Sequence, residues 1–232
     1  MKSNPAPFIV QSLFRNIKNI AEKQQLARSL ASRLKNNDIV GVGSGSTSYL
    51  ALLALAERCK VDNIGFTAIT TSIEMDLVCA SLSIPTTGIG QAVPTWSFDG
   101  ADEIDPNGNM LKGRGGALLR EKLLMKTSPE VHIVADGSKF VDRLGKIFPV
   151  PVEINKEAVQ LVWSQLSEIP GVIDLSLRLA TGKDGPVITE SGNLLLDVRF
   201  DEITPDLEAG LKNMTGVVET GIFWGYNPII NR

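Results

Sequence analysis

The chain has 232 residues, 43% of them hydrophobic and 21% charged, an ordinary globular composition that does not indicate disorder and fits one large domain or a large and a small one. A net charge of −3 disfavours generic binding to nucleic acid or anionic membranes, so any affinity for anions must come from a local pocket. Two cysteines without a CxxC pair and a single histidine exclude most zinc sites and histidine-based triads. No apolar run approaches the roughly 20 residues that span a bilayer. Lys2 before a short, broken apolar patch makes a poor signal peptide, which points to a cytoplasmic protein.

Residues 1–14, with Pro5 and Pro7, read as a loose leader. From Asn19 to Leu34 the apolar residues Ile20, Ala27, Leu30, Ala31 and Leu34 recur at helical spacing, with Lys23 on the polar side and Asn36-Asn37-Asp38 as the stop. A short strand, Ile39 to Val42, then runs into Gly43-Ser44-Gly45-Ser46-Thr47-Ser48, and Tyr49 to Ala56 is strongly helix-forming. Strand, glycine-hydroxyl loop and helix together make an anion cradle: free N–H groups and the positive dipole end lie at the helix start, and hydroxyls add donors. The loop lacks the Walker lysine and fits the dinucleotide pattern only in part, so a nucleotide is disfavoured and a plain βα turn with a Ser cap stays open. Ile64 to Thr71 reads as a strand ending in the hydroxyls of Thr70, Thr71 and Ser72. Ile73 to Ser81 reads as a helix, and Ile84 to Ile89 as a weak strand.

The densest chemistry lies between Asp99 and Lys122. Asp99 and Asp102 follow Phe98 at the carboxyl end of a short strand, where open α/β sheets bind ligands. Lys112 precedes Gly113, Arg114, Gly115 and Gly116, more glycine than a solvated turn requires and suited to backbone N–H groups that approach a ligand. Ala117, Leu118, Leu119, Leu123 and Leu124 then open a helix with Glu121 about one turn inside it, near enough to the loop to face the same cleft as Lys112. The plainer alternative makes Glu121 and Lys122 solvated residues of an amphipathic helix. Val131 to Ala135 is a buried strand leading to Asp136-Gly137-Ser138-Lys139. Lys139 is a candidate ligand contact or a turn lysine, and His132, within the apolar run, reads as a satisfied core histidine.

Near Phe148 the pattern changes. Val150–Ile154 and Gly171–Leu179 read as strands, as do Pro186–Thr189, Asn193–Phe200 and Val217–Trp224, with helices over 157–166 and 206–212. The order suits a ferredoxin-like β-α-β-β-α-β unit. The expected fold is therefore α/β: a doubly wound, Rossmann-like sheet domain over residues 1–148, to which a C-terminal strand within about 219–232 returns, and a smaller α+β domain over 149–218.

Five segments, in order, resemble the signature of the ribose-5-phosphate isomerase type A family. They are Gly41-Val-Gly-Ser-Gly-Ser-Thr47, Asp99-Gly-Ala-Asp-Glu-Ile104, Lys112-Gly-Arg-Gly-Gly-Ala-Leu-Leu-Arg-Glu-Lys122, Asp136-Gly-Ser-Lys139 and Phe148-Pro-Val-Pro-Val-Glu153. The resemblance runs from about Asn19 to Trp224. It implies interconversion of ribose 5-phosphate and ribulose 5-phosphate in the pentose phosphate pathway, without metal or cofactor, by a homodimer or homotetramer. It implies Glu121 as catalytic base, with Asp99, Asp102 and Lys112 around the reacting carbons. Lys139, the loop residues Ser44, Gly45, Ser46 and Thr47, and Lys23 would hold the substrate, and Gly100, Ala101, Gly113, Arg114 and Gly115 would line it. An aldose–ketose isomerase that works through an enediol needs one carboxylate base and groups that stabilise the developing oxyanion, and this set supplies both. Ser44 stands where Thr is common in the family, and Arg114 where bacterial members commonly have Gly. The chain also ends at Asn231-Arg232, where relatives finish with a clearer apolar strand.

Two other activities share this fold group. An acyl-CoA transferase would use a glutamate as nucleophile, and a sugar-phosphate sensor would bind without turnover. A sensor normally carries a DNA-binding helix pair and a basic face, and neither is legible here.

Overall fold

The computed structural model describes residue 14 and residues 16–232, so the expected leader lies, but for Phe14, outside the described residues. In chain order the elements are α1 (Ile20–Ala31), β1 (Asp38–Val42), α2 (Gly45–Asp62), β2 (Phe66–Thr70), α3 (Ile73–Ser81), β3 (Trp96–Asp99), β4 (Glu103–Ile104), β5 (Met110–Leu111), α4 (Leu118–Thr127) and β6 (Val131–Val134). They continue with β7 (Val150–Ile154), α5 (Val159–Ser167), β8 (Val172–Leu177), β9 (Leu194–Phe200), α6 (Pro205–Lys212), β10 (Val217–Thr220), β11 (Ile222–Phe223) and β12 (Ile229–Asn231). The molecule has the expected mixed α/β architecture, with a parallel sheet and a separate antiparallel one, and it forms two compact units.

The first unit holds residues up to Gly100, Arg120–Gly137 and Pro228–Arg232. Its sheet has the order β12-β6-β3-β1-β2 with every pair parallel. Parallel strands covered on both faces are continuously apolar: Val40, Val42, Ala68, Ile69, Phe98, Ile133 and Val134 are all buried. α1 adds Ala27, Leu30 and Ala31 to this core from one face, and α2 adds Leu52, Leu55 and Ala56. α2 stops at Asn63, which takes a left-handed φ of 52° and turns its N–H back to the Cys59 carbonyl. Of the final residues, Ile229–Asn231 join this sheet beside β6, with Ile229 opposite His132.

The second unit holds Ala101–Leu119 and Ser138–Asn227. Its antiparallel sheet has the order β10-β7-β9-β8, and β7, α5, β8, β9, α6 and β10 follow one another as the ferredoxin-like order anticipates. Val150, Val152 and Ile154 alternate along β7 and pack with Val162 and Leu166 of α5 and Leu211 of α6. A three-stranded ribbon, β11-β5-β4, completes the unit.

Three expected strands differ. Pro186–Thr189 is a loop with one bridge, Leu179 to Pro186, since proline lacks an N–H and the Thr189 hydroxyl is drawn to Glu153. The stretch 217–224 is split at Gly221, whose N–H goes to Pro151 and whose carbonyl accepts the Lys112 N–H, so its two halves join different sheets. Residues 84–89 contribute only a bridge from Thr86 to Ala68.

Candidate active site

In the first unit, the loop after β1 brings Ser44, Gly45, Ser46 and Thr47 to the N-terminus of α2, at the carboxyl edge of the parallel sheet. Gly43 N–H donates to the Phe98 carbonyl at 2.8 Å, and a Cβ at Gly43 would overlap the Asp99 carboxylate, so only glycine lets the loop and Asp99 approach. Asp99, at the end of β3, is 5% exposed; its Oδ1 accepts the Gly100 N–H at 2.7 Å and the Ser48 hydroxyl at 3.4 Å. Gly100 itself lies beside Thr47. The Ser44 hydroxyl is 2.6 Å from that of Thr71, at the end of β2.

Lys23 is not on a solvated face. It is 5% exposed on α1, with Nζ 3.5 Å from both the Ser46 hydroxyl and Asp136 Oδ2. Asp136 follows β6 and accepts the Asn19 side-chain N–H at 2.8 Å, while Glu22, beside Lys23, accepts the Gly137 N–H at 2.9 Å. The Lys23 ammonium, the hydroxyls of Ser44, Ser46 and Thr71 and the first turn of an 18-residue helix therefore share one edge of this unit, a suitable place for an anion. Glu121 sits in the first turn of α4 at 5% exposure, and Lys122 is 6% exposed, so the solvated-face alternative does not hold for either.

The second unit carries the rest. Asp102 N–H donates to the Leu111 carbonyl, and Asp102 Oδ2 accepts the Arg114 N–H at 3.0 Å. Lys112, just after β5, is 3% exposed with its ammonium 5.7 Å from the centre of the Phe223 ring. Gly113 turns the chain with φ 94°, and its carbonyl accepts the Gly116 N–H, leaving Arg114 and Gly115 exposed at the tip. Arg114 and Lys139 both stand over Phe148, at 5.4 and 6.0 Å from the ring centre. Ala101 opens the unit and Lys139 ends the 3-10 turn after Gly137.

Two acids of the 99–105 run serve the backbone. Glu103 is fully buried and accepts the N–H groups of Gly145, Ile147 and Phe148 at 2.6–2.7 Å, anchoring that segment to β4. Asp105 accepts from Asn107, Asn109 and the Asn109 side chain, building the turn between β4 and β5. His132 is satisfied by Glu130 at 2.6 Å and Asn231 at 3.2 Å. Asp136 and Thr71 stand outside the residue set expected for the site, although each lies just past a buried strand of the same sheet that Asp99 ends. Among the described residues no group of three His, Cys, Asp or Glu side chains is placed to hold a metal ion.

Residues 67–230 match the family model described as ribose 5-phosphate isomerase A (phosphoriboisomerase A). The chain belongs to this family. A ribose-5-phosphate isomerase A from Synechococcus sp. is 37% identical over 212 residues, covering 90% of each chain, and one from Prochlorococcus marinus is 39% identical over 207 residues, covering 87% and 88%. Among solved structures, ribose 5-phosphate isomerase A from Methanocaldococcus jannaschii superposes with a TM-score of 0.86 at 32% identity, covering 93% of this chain and 96% of that one. A second structure with the same TM-score and identity is a D-ribose-5-phosphate isomerase in complex with phospho-erythronic acid. Four of the five signature segments fall inside the family match, while Gly41 to Thr47 and Lys23 precede it and join the candidate set through the contacts described above.

Proposed function

We propose that this protein interconverts ribose 5-phosphate and ribulose 5-phosphate through an enediol, with Glu121 as the base that carries a proton between C2 and C1. The observation that carries the reading is Glu121 itself: in a chain of this family, it is a buried carboxylate in the first turn of the helix that follows the Lys112 glycine loop. Removing a proton beside a carbonyl places negative charge on the oxygen, and a nearby ammonium stabilises that charge most where water is scarce. In this reading Lys112 supplies the ammonium, and Asp99 and Asp102 order the sugar hydroxyls and shuttle their protons. The Ser44–Thr47 loop and Lys23 take the phosphate, for which helix N–H groups, hydroxyls and an ammonium are the fitting donors. Lys139 serves the same substrate, and Gly100, Ala101, Gly113, Arg114 and Gly115 lie along it. A relative in complex with phospho-erythronic acid, a phosphorylated sugar acid, supports a ligand of this class.

The reaction proposed needs no cofactor or metal. Assembly as a homodimer or homotetramer and a cytoplasmic setting belong to the same reading; light scattering of the purified protein tests the first. Incubation with ribose 5-phosphate and direct detection of ribulose 5-phosphate by NMR tests the activity. Absence of the ketose from a folded protein overturns the proposal.

A further inference from the structure

Arg178 immediately follows β8, and the four hydrogen bonds its guanidinium donates lie within the second unit. Its Nε donates to Asp197 Oδ2 at 2.8 Å and its Nη2 donates to Asp197 Oδ1, a two-pronged pairing across to β9 that fixes the plane of the guanidinium. With the plane set, Nη1 donates to two successive carbonyl oxygens of the glycine loop, those of Gly113 and Arg114, each at 3.0 Å. The pair lines an open cavity of about 220 Å³ together with Asp102, Arg114 and Phe148.

In a trans peptide the C=O of one residue and the N–H of the next point in opposite directions. Turning the Gly113 carbonyl onto Arg178 therefore aims the Arg114 N–H away from it, and there that N–H meets Asp102 Oδ2 at 3.0 Å. The Arg114 carbonyl, held by the same nitrogen, fixes the Gly115 N–H in the same way. Arg114 and Gly115 are exposed and Gly115 has no side chain; the loop is also tied by the Gly116 N–H to the Gly113 carbonyl and by the Arg114 guanidinium over Phe148, neither of which is made by the peptide group between Arg114 and Gly115.

We propose that Arg178, oriented by Asp197, is a positioning residue for the isomerase reaction: it sets the peptide planes of residues 113–115 and, through the Arg114 N–H, the Asp102 carboxylate. The role in the reaction rests on the function proposed above; the clamp itself rests on geometry. A lysine cannot replace the arginine, because a single ammonium cannot hold Asp197 with two prongs and both carbonyls at once.

The test compares R178A, R178K and D197N with the wild-type full chain, using thermal melts to show that each folds. A misplacement of about 1 Å in a catalytic group lowers turnover by up to ~10²-fold, so kcat for ribose 5-phosphate should fall about tenfold or more in each variant, with KM within about threefold. Guanidinium ion, below unfolding concentrations, should restore part of the R178A loss. Hydrogen exchange of the Arg114 amide should be faster in R178A than in wild type. A merely structural arginine would lower the melting temperature and leave kcat and the guanidinium response unchanged. Folded R178A with wild-type kcat, or with unchanged Arg114 exchange, overturns the proposal. If R178A does not fold, R178K and D197N carry the same readouts. If the wild-type protein does not isomerise ribose 5-phosphate, the proposed function falls, and the Arg114 exchange rate still decides whether the clamp exists.

Discussion

In the proposed reaction the proton is carried by Glu121, a buried carboxylate in the first turn of α4. Glu121→Gln keeps the shape of the side chain and removes only its ability to accept a proton as a carboxylate. Loss of a general base lowers kcat by ~10²-fold or more, so the variant should keep its fold and much of its substrate affinity while turning over at least ~10²-fold more slowly. Steady-state kinetics with a circular dichroism control decides this, and near-normal kcat in folded protein would remove Glu121 from the mechanism. The one histidine has a different use. Its hydrogen bond to Glu130, followed by the nearby Arg33, holds the Glu130 carboxyl below its ordinary value of 4.5. A depressed carboxyl contributes stability above its unfolded value and loses that contribution as pH falls through the folded one. The Glu130 side chain is 38% exposed, so the contribution is under about 1 kcal/mol. Thermal melts of wild type and Glu130→Gln should differ most near pH 7 and converge only as the pH falls through the lowered folded-state range of this carboxyl. A gap that widens with acid contradicts this assignment.

Among the elements, the β4–β5 ribbon shows how a carboxylate can be a framework group. Glu103 is bonded to three N–H groups of the segment before β7, and Gln in its place would turn an NH2 toward at least one of those donors. Hydrogen bonds to a charged group are worth about 1.5–3 kcal/mol and a buried unsatisfied donor costs about 1–3, so Glu103→Gln should destabilise the protein by about 2–4 kcal/mol. Urea unfolding measures this, and a loss below 0.5 kcal/mol, on the scale of ordinary surface substitutions of about that size, would show that the segment is held by other contacts. The run Asp99 to Asp105 reads in sequence as one acidic feature. That Glu103 is committed to holding a distant backbone segment is invisible there, because its partners lie more than 40 residues further along.

For the whole molecule, the chain passes between its two units four times, after Gly100, Leu119, Gly137 and Asn227, and the candidate residues are distributed over both. The overall reaction can be read by two measurements that do not depend on any single residue. If a carboxylate carries the proton through an enediol, it exchanges with solvent in some turnovers, so ribulose 5-phosphate formed in D₂O should carry deuterium at C1. NMR of the product reads this directly, and a C1 without deuterium, where the product alone does not exchange, argues against the enediol route unless the proton is shown to be fully shielded from solvent. Activity should also survive EDTA, because one histidine, two isolated cysteines and the described carboxylates offer no three-ligand site. Loss on chelation that a divalent ion restores would reverse that expectation.

The sequence by itself determined what depends on neighbours in the chain. Continuous apolar runs ending in hydroxyls or acids specify parallel strands with a ligand-binding edge, glycines beside Ser44 and Lys112 specify turns that bring backbone close, and apolar spacing in 150–220 specifies the β-α-β-β-α-β order. These are local properties of side chains and dihedral angles. Tertiary structure decided what depends on partners remote in sequence. Ile229–Asn231 belong beside His132, Pro186–Thr189 do not form a strand, Lys23 is buried against Asp136, and Arg178 reaches back to Gly113. The fate of a charge is set by what surrounds it once water is removed, and for Lys23 and Asp136 that surrounding is supplied by residues over a hundred positions apart.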